Sequence, residues 1–563
     1  MKRLISSFFL LFLCVSTFAH DFYVDEIYYQ IMSPTKQIVA VTHKTGEYNS
    51  YSGEIIIPET VTYNNITYSV KSIELEAFAL CNELSSVTIP NSIDTIAPSA
   101  FASCEELSFI TIPNSTKYIG ASAFRGCKNI TTINLPDSIS SIEGFVFSGC
   151  TNLKNIKIPN AVTHILTGAF DGCICLTDVT IPENVKVIGA QAFYGCSQLS
   201  HIYFNATNCQ IVGSSSHGAF EGCDALKEFT FGSNVKKIPP CTFVNCKSLT
   251  SFSIPNSITE IGEYAFHFSG ITSISIPNSI TSIGEYAFYK CLYLSEISIP
   301  NSISAIKNSS FLGCTKLSNI SIPESVTSIG NSAFSNCNSL TSITIHEGIT
   351  ELGVSAFAEC PNIETVYFNA IDCKNHTSLK GIFRSCSSLK DVFIGEKVTN
   401  IPATIFYKCE SLSSITIPNS VKTISRSAFR DCTNLETIVL GESLESIAEQ
   451  AFDDCEKLVS ITSLNPTPPI CTESSNVFPN IIYDTATLSI SSNCINDYTT
   501  ADVWKNFKNI NKISGINNQD INTSNNPTEI ERYNINGVQI KEPIKGINII
   551  RFSDGTTRKE IIK

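Results

Sequence analysis

A unit of 23 residues, repeated along most of the chain, decides what this sequence can fold into. Its clearest copy, Ile276 to Ser298, reads I-P-N-S-I-T-S-I-G-E-Y-A-F-Y-K-C-L-Y-L-S-E-I-S. One phenylalanine per copy keeps the register. Phe78, Phe101, Phe124, Phe147, Phe170 and Phe193 come first, then, after a longer step, Phe220, Phe243, Phe266, Phe288, Phe311, Phe334 and Phe357. A second long step leads to Phe383, Phe406, Phe429 and Phe452. Self-similarity at such a period makes the chain a solenoid, in which each copy buries its apolar face only against its neighbours.

Within a copy, L-x-x-I-x-I (Leu294 to Ile299) alternates apolar and polar residues and is rich in β-branched side chains, which predicts a short strand buried on one face. Proline or glycine usually follows (Pro90, Pro113, Pro300, Gly395) and ends it. Ser279 to Gly284 then turns the chain. The rest, A-F-x-x-C-x-x-L, spaces its apolar residues by three and four, which predicts one or two turns of helix.

The A-F-x-x-C-x-x-L-x-x-I-x-I-P string, recurring from Ala77 to Leu458, resembles the BspA-like leucine-rich repeat of bacterial surface proteins. The resemblance covers most of the chain and implies an α/β solenoid. It would have a parallel concave β-sheet, short convex helical segments, about 17 repeats in a right-handed curve and a cap at each end. At ~4.8 Å per strand the sheet would run roughly 80 Å.

Taken in order, residues 1–19 read as a signal peptide: Lys2 and Arg3, an apolar run from Leu4 to Val15, and the cleavage site Thr17-Phe18-Ala19. Cys14 raises a lipoprotein alternative, disfavoured because Leu13 stands where a lipobox has Gly or Ala. No other run is long enough to span a bilayer, so an exported protein is expected, secreted or associated with the cell surface or outer membrane. Residues 20–70 read as an N-terminal β cap with hairpins in Phe22 to Tyr29 and Tyr63 to Val70. The repeats occupy 71–463. Residues 464–512 form a C-terminal cap with a strand at Ala486 to Ile490 and a helix over Tyr498 to Ile510. A polar linker spans 513–526. The β module at 527–563 resembles the C-terminal sorting domains of Bacteroidetes surface proteins.

Two copies are longer than the rest. Each carries Tyr-Phe-Asn-Ala (Tyr203 to Ala206, Tyr367 to Ala370) and is followed by Gly-x-x-Val-x-x-Ile-Pro (Gly232 to Pro239, Gly395 to Pro402), as if a block of about seven copies had been duplicated. Insertions in solenoids emerge as loops, where binding often happens, but the plainer reading, a tolerated bulge, is the one expected here.

The formal charge of −13 argues against nucleic acid as a partner, since phosphate recognition needs clustered Lys and Arg. The 23 cysteines mostly recur three residues after the phenylalanine, on the apolar stripe. There cysteine acts as a small hydrophobe, so a buried column of free thiols is expected. Cys471 and Cys494 are the best candidates for a true pair. Cys173-Ile174-Cys175 lacks zinc spacing, the eight histidines are scattered, and no nucleophile elbow or phosphate loop occurs. The pairs Glu105-Glu106 and Asp453-Asp454 read as solvated charge. No catalytic, metal or cofactor site is expected, hence no enzyme.

What remains is the outward face of the strands, where two residues per copy flank the first buried Ile. Most are Ser or Thr. The departures are the candidate partner-binding residues: Lys157, Tyr203, Tyr367 and Phe393 at the second place, and Phe109, Asp178 and His201, with Glu228 and Asp391, at the first. Exposed aromatics on a hydroxylated face would anchor a protein or glycan ligand on a host or bacterial surface. A spacer protein of the cell envelope is the other reading.

Overall fold

The computed structural model describes residues 20–213, 217–373, 380–471, 476–513, 529–534, 542, 546–552 and 557–562. The expected signal peptide with Cys14, and all but Ile513 of the expected linker, lie outside them. The chain divides into two compact units, residues 1–291 and 292–563, both built from coils of a parallel β-solenoid with few helices. It has about 19 turns.

The first side of a coil is the expected strand. In Asp178–Ile181 the alternation puts Val179 and Ile181 inside and leaves Asp178 and Thr180 exposed. This strand pairs in parallel with His201–Phe204, which pairs with Glu228–Phe231 in the next coil. The Ser-Ile-x-x-Ile segment, read as a turn, holds a second and shorter strand. Ser141–Ile142, His164–Ile165, Val187–Ile188 and Gln210–Ile211 form one such parallel ladder.

The third side corrects the sequence reading. The A-F-x-x-C segment is a chain of tight turns with no α-helix. Left-handed residues stand two before and two after the phenylalanine: Ser99 (φ 54) and Ser103 (φ 60) around Phe101, Tyr264 (φ 54) and Phe268 (φ 53) around Phe266. An α-helix needs φ near −63° throughout. The backbone bonds explain why the turns win. Ser99, Phe101 and Ser103 donate their N–H groups to Ala121, Ala123 and Arg125 of the next coil at 2.9, 2.8 and 2.6 Å. Ala102 and Cys104 donate three residues back, to Ser99 and Phe101, at 3.0 and 3.3 Å. Alternate donors thus fasten one coil to the next, which a helix could not do. These bonds offset the roughly 1–2 kcal/mol that each left-handed residue costs.

This backbone aligns the side chains. Phe78 stacks on Phe101 with centroids 4.8 Å apart, and the stack continues through Phe124, Phe147, Phe170 and Phe193 to Phe220. In the second unit it runs from Phe311 through Phe334, Phe357, Phe383, Phe406 and Phe429 to Phe452. Two members were hidden from the repeat pattern. Tyr51 packs on Phe78 at 4.4 Å, and Phe478 on Phe452 at 5.4 Å. Beside the phenylalanines the cysteines are buried and free, and their thiols donate to backbone carbonyls one coil back: Cys104 to Phe78 at 3.0 Å, Cys337 to Phe311 at 3.3 Å. Cys471 and Cys494 are both free as well, against expectation. Cys494 donates instead to the Ser491 carbonyl.

At the N-terminal end Phe22–Val24, Ile27–Ser33 and Ile38–Thr42 pair antiparallel in sequence, and Thr60–Tyr63 folds back on Ile66–Ile73. Gly53–Ile56 already pairs in parallel with Leu84–Thr88. Towards the C-terminus, Thr487–Ser491 adds to Ser460–Ser463 and then takes Asn509–Ile513 on its other edge. The helix expected over Tyr498 to Ile510 is shorter. It runs Ile495–Thr500, followed by a 3-10 turn at Trp504–Asn506, and strand begins at Asn509. Trp504 is buried and donates its indole N–H to the Pro469 carbonyl at 2.8 Å. The final segments form an antiparallel sheet of Glu529–Asn534, Gly546–Phe552 and Thr557–Ile562.

Candidate binding surface

Because the strands pair in register, equivalent residues of successive coils stand side by side, and the outward face becomes a set of rows. Over much of its length the second row is hydroxyl: Thr88, Thr111, Thr180, Ser253, Ser275, Ser298, Ser321, Thr344 and Thr416 are all exposed. Small β-branched or hydroxylated residues keep such a sheet solvated and unencumbered.

In the first unit the pattern breaks at His201–Phe204. The His201 and Tyr203 rings, two residues apart on one face, stack with centroids 4.0 Å apart and planes 13° apart. His201 Nδ1 lies 2.9 Å from Glu228 Oε2 on the following strand, and its Nε2 lies 3.0 Å from Thr230 Oγ1. With the Thr230 hydroxyl donating to Nε2, the Nδ1 proton goes to the carboxylate, an arrangement that needs no charge on the ring. Tyr203 keeps 42% of its surface exposed. Asp178 stands directly opposite His201 on the preceding strand. Lys157 and Asp178 share an open groove of about 600 Å³ with Asn155, Thr180, Glu183 and Asn205. Phe109, 62% exposed, lies opposite Ser86 on another sheet.

In the second unit Tyr367 and Phe393 stand opposite one another on paired strands, Thr365–Phe368 and Asp391–Ile394, and stack at 5.2 Å with an 11° tilt. Asp391 is exposed on the same face. The structure therefore groups the candidates into His201, Tyr203 and Asp178 with Lys157 nearby, and Tyr367 with Phe393, and it leaves Phe109 apart. The partnership of His201 with Glu228 and Thr230 escaped the sequence. Only the strand register reveals it.

The other side of the coils offers packing. Burial pushes the Cys150, Cys291 and Cys360 thiols up to about 12, which leaves them protonated and poor as nucleophiles or ligands. Asp453 and Asp454 are not simply solvated: they bracket the Arg430 guanidinium at 3.6 and 3.4 Å, and burial raises the Asp453 carboxyl. Glu105 pairs with Lys128 at 2.8 Å. Among the described residues no cluster of His, Cys, Asp and Glu could hold a metal ion, and no helix is long and apolar enough to cross a membrane.

A family model described as "BspA type leucine rich repeat region (6 copies)" matches residues 58–177, 163–294, 259–379, 376–511 and 433–557. No curated protein matches the chain. Among solved structures it is similar to a leucine-rich repeat protein from Bacteroides ovatus, with 26% identity over 79% of this chain and 94% of that one and a TM-score of 0.41. A leucine-rich cell surface protein from Faecalibacterium prausnitzii gives 24% identity over 79% and 94%, with a TM-score of 0.25. The pneumococcal vaccine antigen PcpA gives 14% over 88% and 98%, with a TM-score of 0.30.

Proposed function

This chain belongs to the BspA-type leucine-rich repeat family, and from that premise we propose that it is an exported, non-enzymatic cell-surface protein that binds other macromolecules through the outward face of its strands. The ligand is a protein or glycan of a host or bacterial surface, and the outcome is adhesion. The observation that carries this reading is the interruption of a hydroxylated face by two stacked aromatic pairs, His201 with Tyr203 and Tyr367 with Phe393. Large amphipathic rings held by neighbours lose little entropy on contact, which suits them to anchor a partner. In the same reading the N-terminal hairpins and the Trp504 region close the ends of the solenoid, and residues 527–563 direct surface attachment.

Attachment of the full-length chain to cells and to immobilised matrix proteins tests this. Saturable binding that Tyr203→Ala/Tyr367→Ala/Phe393→Ala removes, with unchanged circular dichroism, supports it. Equal binding by the variant removes the outward face from consideration. The long runs of Ser and Thr on that face favour a second reading, an envelope spacer without a specific ligand. It requires that the triple variant behave as wild type while deletion of 527–563 abolishes display.

A further inference from the structure

The two interruptions of the outward face are built to one plan. In each, a strand carrying tyrosine at its second outward place is followed by Asn-Ala, and the next strand carries a carboxylate at its first outward place. Glu228 thus stands diagonal to Tyr203, and Asp391 diagonal to Tyr367. A diagonal of about 7–8 Å between strands is within reach of long side chains. The corners beneath them coincide too. Asn205 and Asn369 donate their N–H groups one coil back, to Ile181 at 3.0 Å and Ile345 at 2.8 Å. Gly232 and Gly395 donate to the Phe204 and Phe368 carbonyls, both at 2.9 Å. A Cβ on either glycine would lie 2.6 Å from the asparagine side-chain oxygen below it, Asn205 Oδ1 or Asn369 Oδ1. A side chain at either glycine would have to displace that asparagine amide.

Charge follows the same plan. On the outward places of the repeat strands the carboxylates are Asp178, Glu228, Glu296 and Asp391, and the one basic residue of that set is Lys157. Asp178 and Glu228 flank the His201–Tyr203 strand on both sides, and Asp391 sits beside the strand of Tyr367. Glu228 is also held by the His201 ring at 2.9 Å, which orients the carboxylate. An aromatic ring beside a fixed carboxylate satisfies both needs of a guanidinium: a π surface for its plane and an acceptor for its N–H groups.

Building on the proposed use of this face, we infer that it carries two copies of one binding site, one in each unit, and that each accepts an arginine side chain of an extended, cationic partner protein.

The test uses the full-length chain and a hexapeptide of alternating arginine and serine that carries a benzophenone. A control peptide has citrulline, the neutral isostere, in place of arginine. Crosslinks mapped by mass spectrometry should fall on His201–Phe204 with Glu228–Phe231, and on Thr365–Phe368 with Asp391–Ile394, and the citrulline peptide should give neither. Tyr203→Ala should lower crosslinking at the first site by about fivefold, the size of one cation–π contact, and spare the second. Tyr367→Ala should do the reverse. The spared site reports that each variant is folded. Crosslinks at one site only, crosslinks spread over the surface, or equal labelling by citrulline overturn the inference. If the triple variant loses cell attachment while the arginine peptide labels nothing, the face remains the binding surface and the cationic partner is wrong.

Discussion

In the second unit, Phe311, Phe334 and Phe357 are chemically identical, fully buried and stacked 5.1–5.2 Å apart. On the strand face of that unit, Ser342, Thr365 and Asp391 occupy one row and share nothing but their orientation. Both series contribute one residue per coil and run through neighbouring coils of the same unit. What separates them is what a neighbour demands. A buried ring must match the rings above and below it, and its backbone must offer donors to the next coil, so change there is felt in two coils at once. An outward side chain answers only to water and to the residues beside it, which leaves it available for recognition.

Substitution on the two sides should expose this difference, and the largest effect is expected in the column. Phe334→Ala removes a ring that touches Phe311 and Phe357 and should cost about 3–5 kcal/mol in denaturant unfolding. A loss below about 1 kcal/mol would mean that the coils relax into the gap and that the column is not what holds them.

Acid should come next. His267 lies on the turn side among Tyr264, Phe268 and Tyr289, with neither ring nitrogen hydrogen-bonded. Burial, and then the charge of Lys290, pull its pKa from 6.5 down to about 4. The unfolded chain therefore binds this proton more readily, and the contribution of a neutral His267 is complete above pH 6.5 and lost as pH falls towards 4. The thermal midpoint should drop through that window, and less so in His267→Phe. Parallel curves for the two proteins would exclude the histidine as the cause.

Cysteine offers a milder test of the same side. Cys337→Ala deletes one thiol–carbonyl hydrogen bond to Phe311 and should cost about 1 kcal/mol. In the native protein Ellman's reagent should find the column unreactive at about pH 8 and reach it only on unfolding. The smallest effect belongs to the outward face: Tyr203→Ala should shift stability by no more than about 0.5 kcal/mol while weakening attachment. A Tyr203→Ala variant that melts early would erase the distinction between the two sides.

The same distinction explains what the sequence could and could not disclose. Alternation in Leu-x-x-Ile-x-Ile located the strands because a period of two has one physical cause, a half-buried pleat. The three-and-four spacing of Ala, Phe, Cys and Leu has more than one. Turns with left-handed residues at positions such as Ser99 and Ser103 reproduce it, and the glycines that recur two places after the phenylalanine, among them Gly126, Gly149, Gly172 and Gly313, are the trace those turns leave in the sequence. Tyr51 and Phe478 were missed because their spacing departs from 23 and, at one end, tyrosine replaces phenylalanine. On the strand face, the positions of Tyr203, His201, Tyr367 and Phe393 followed from counting along each copy. Their partners did not, because Glu228 and Thr230 meet His201 only through the register between coils, which an extra-long copy displaces in the sequence.

The thiol column also sets a clock. If exported as proposed, the chain would carry the 22 cysteines that follow the expected signal peptide into an oxidising compartment, where thiolates that find each other lock in whatever pairing comes first. Each coil that closes on its predecessor withdraws its sulfur, points it at a carbonyl and raises its pKa beyond reach of ordinary oxidants. Protection therefore spreads with the solenoid itself, and the sequence is safe in proportion to how fast the coils zip together.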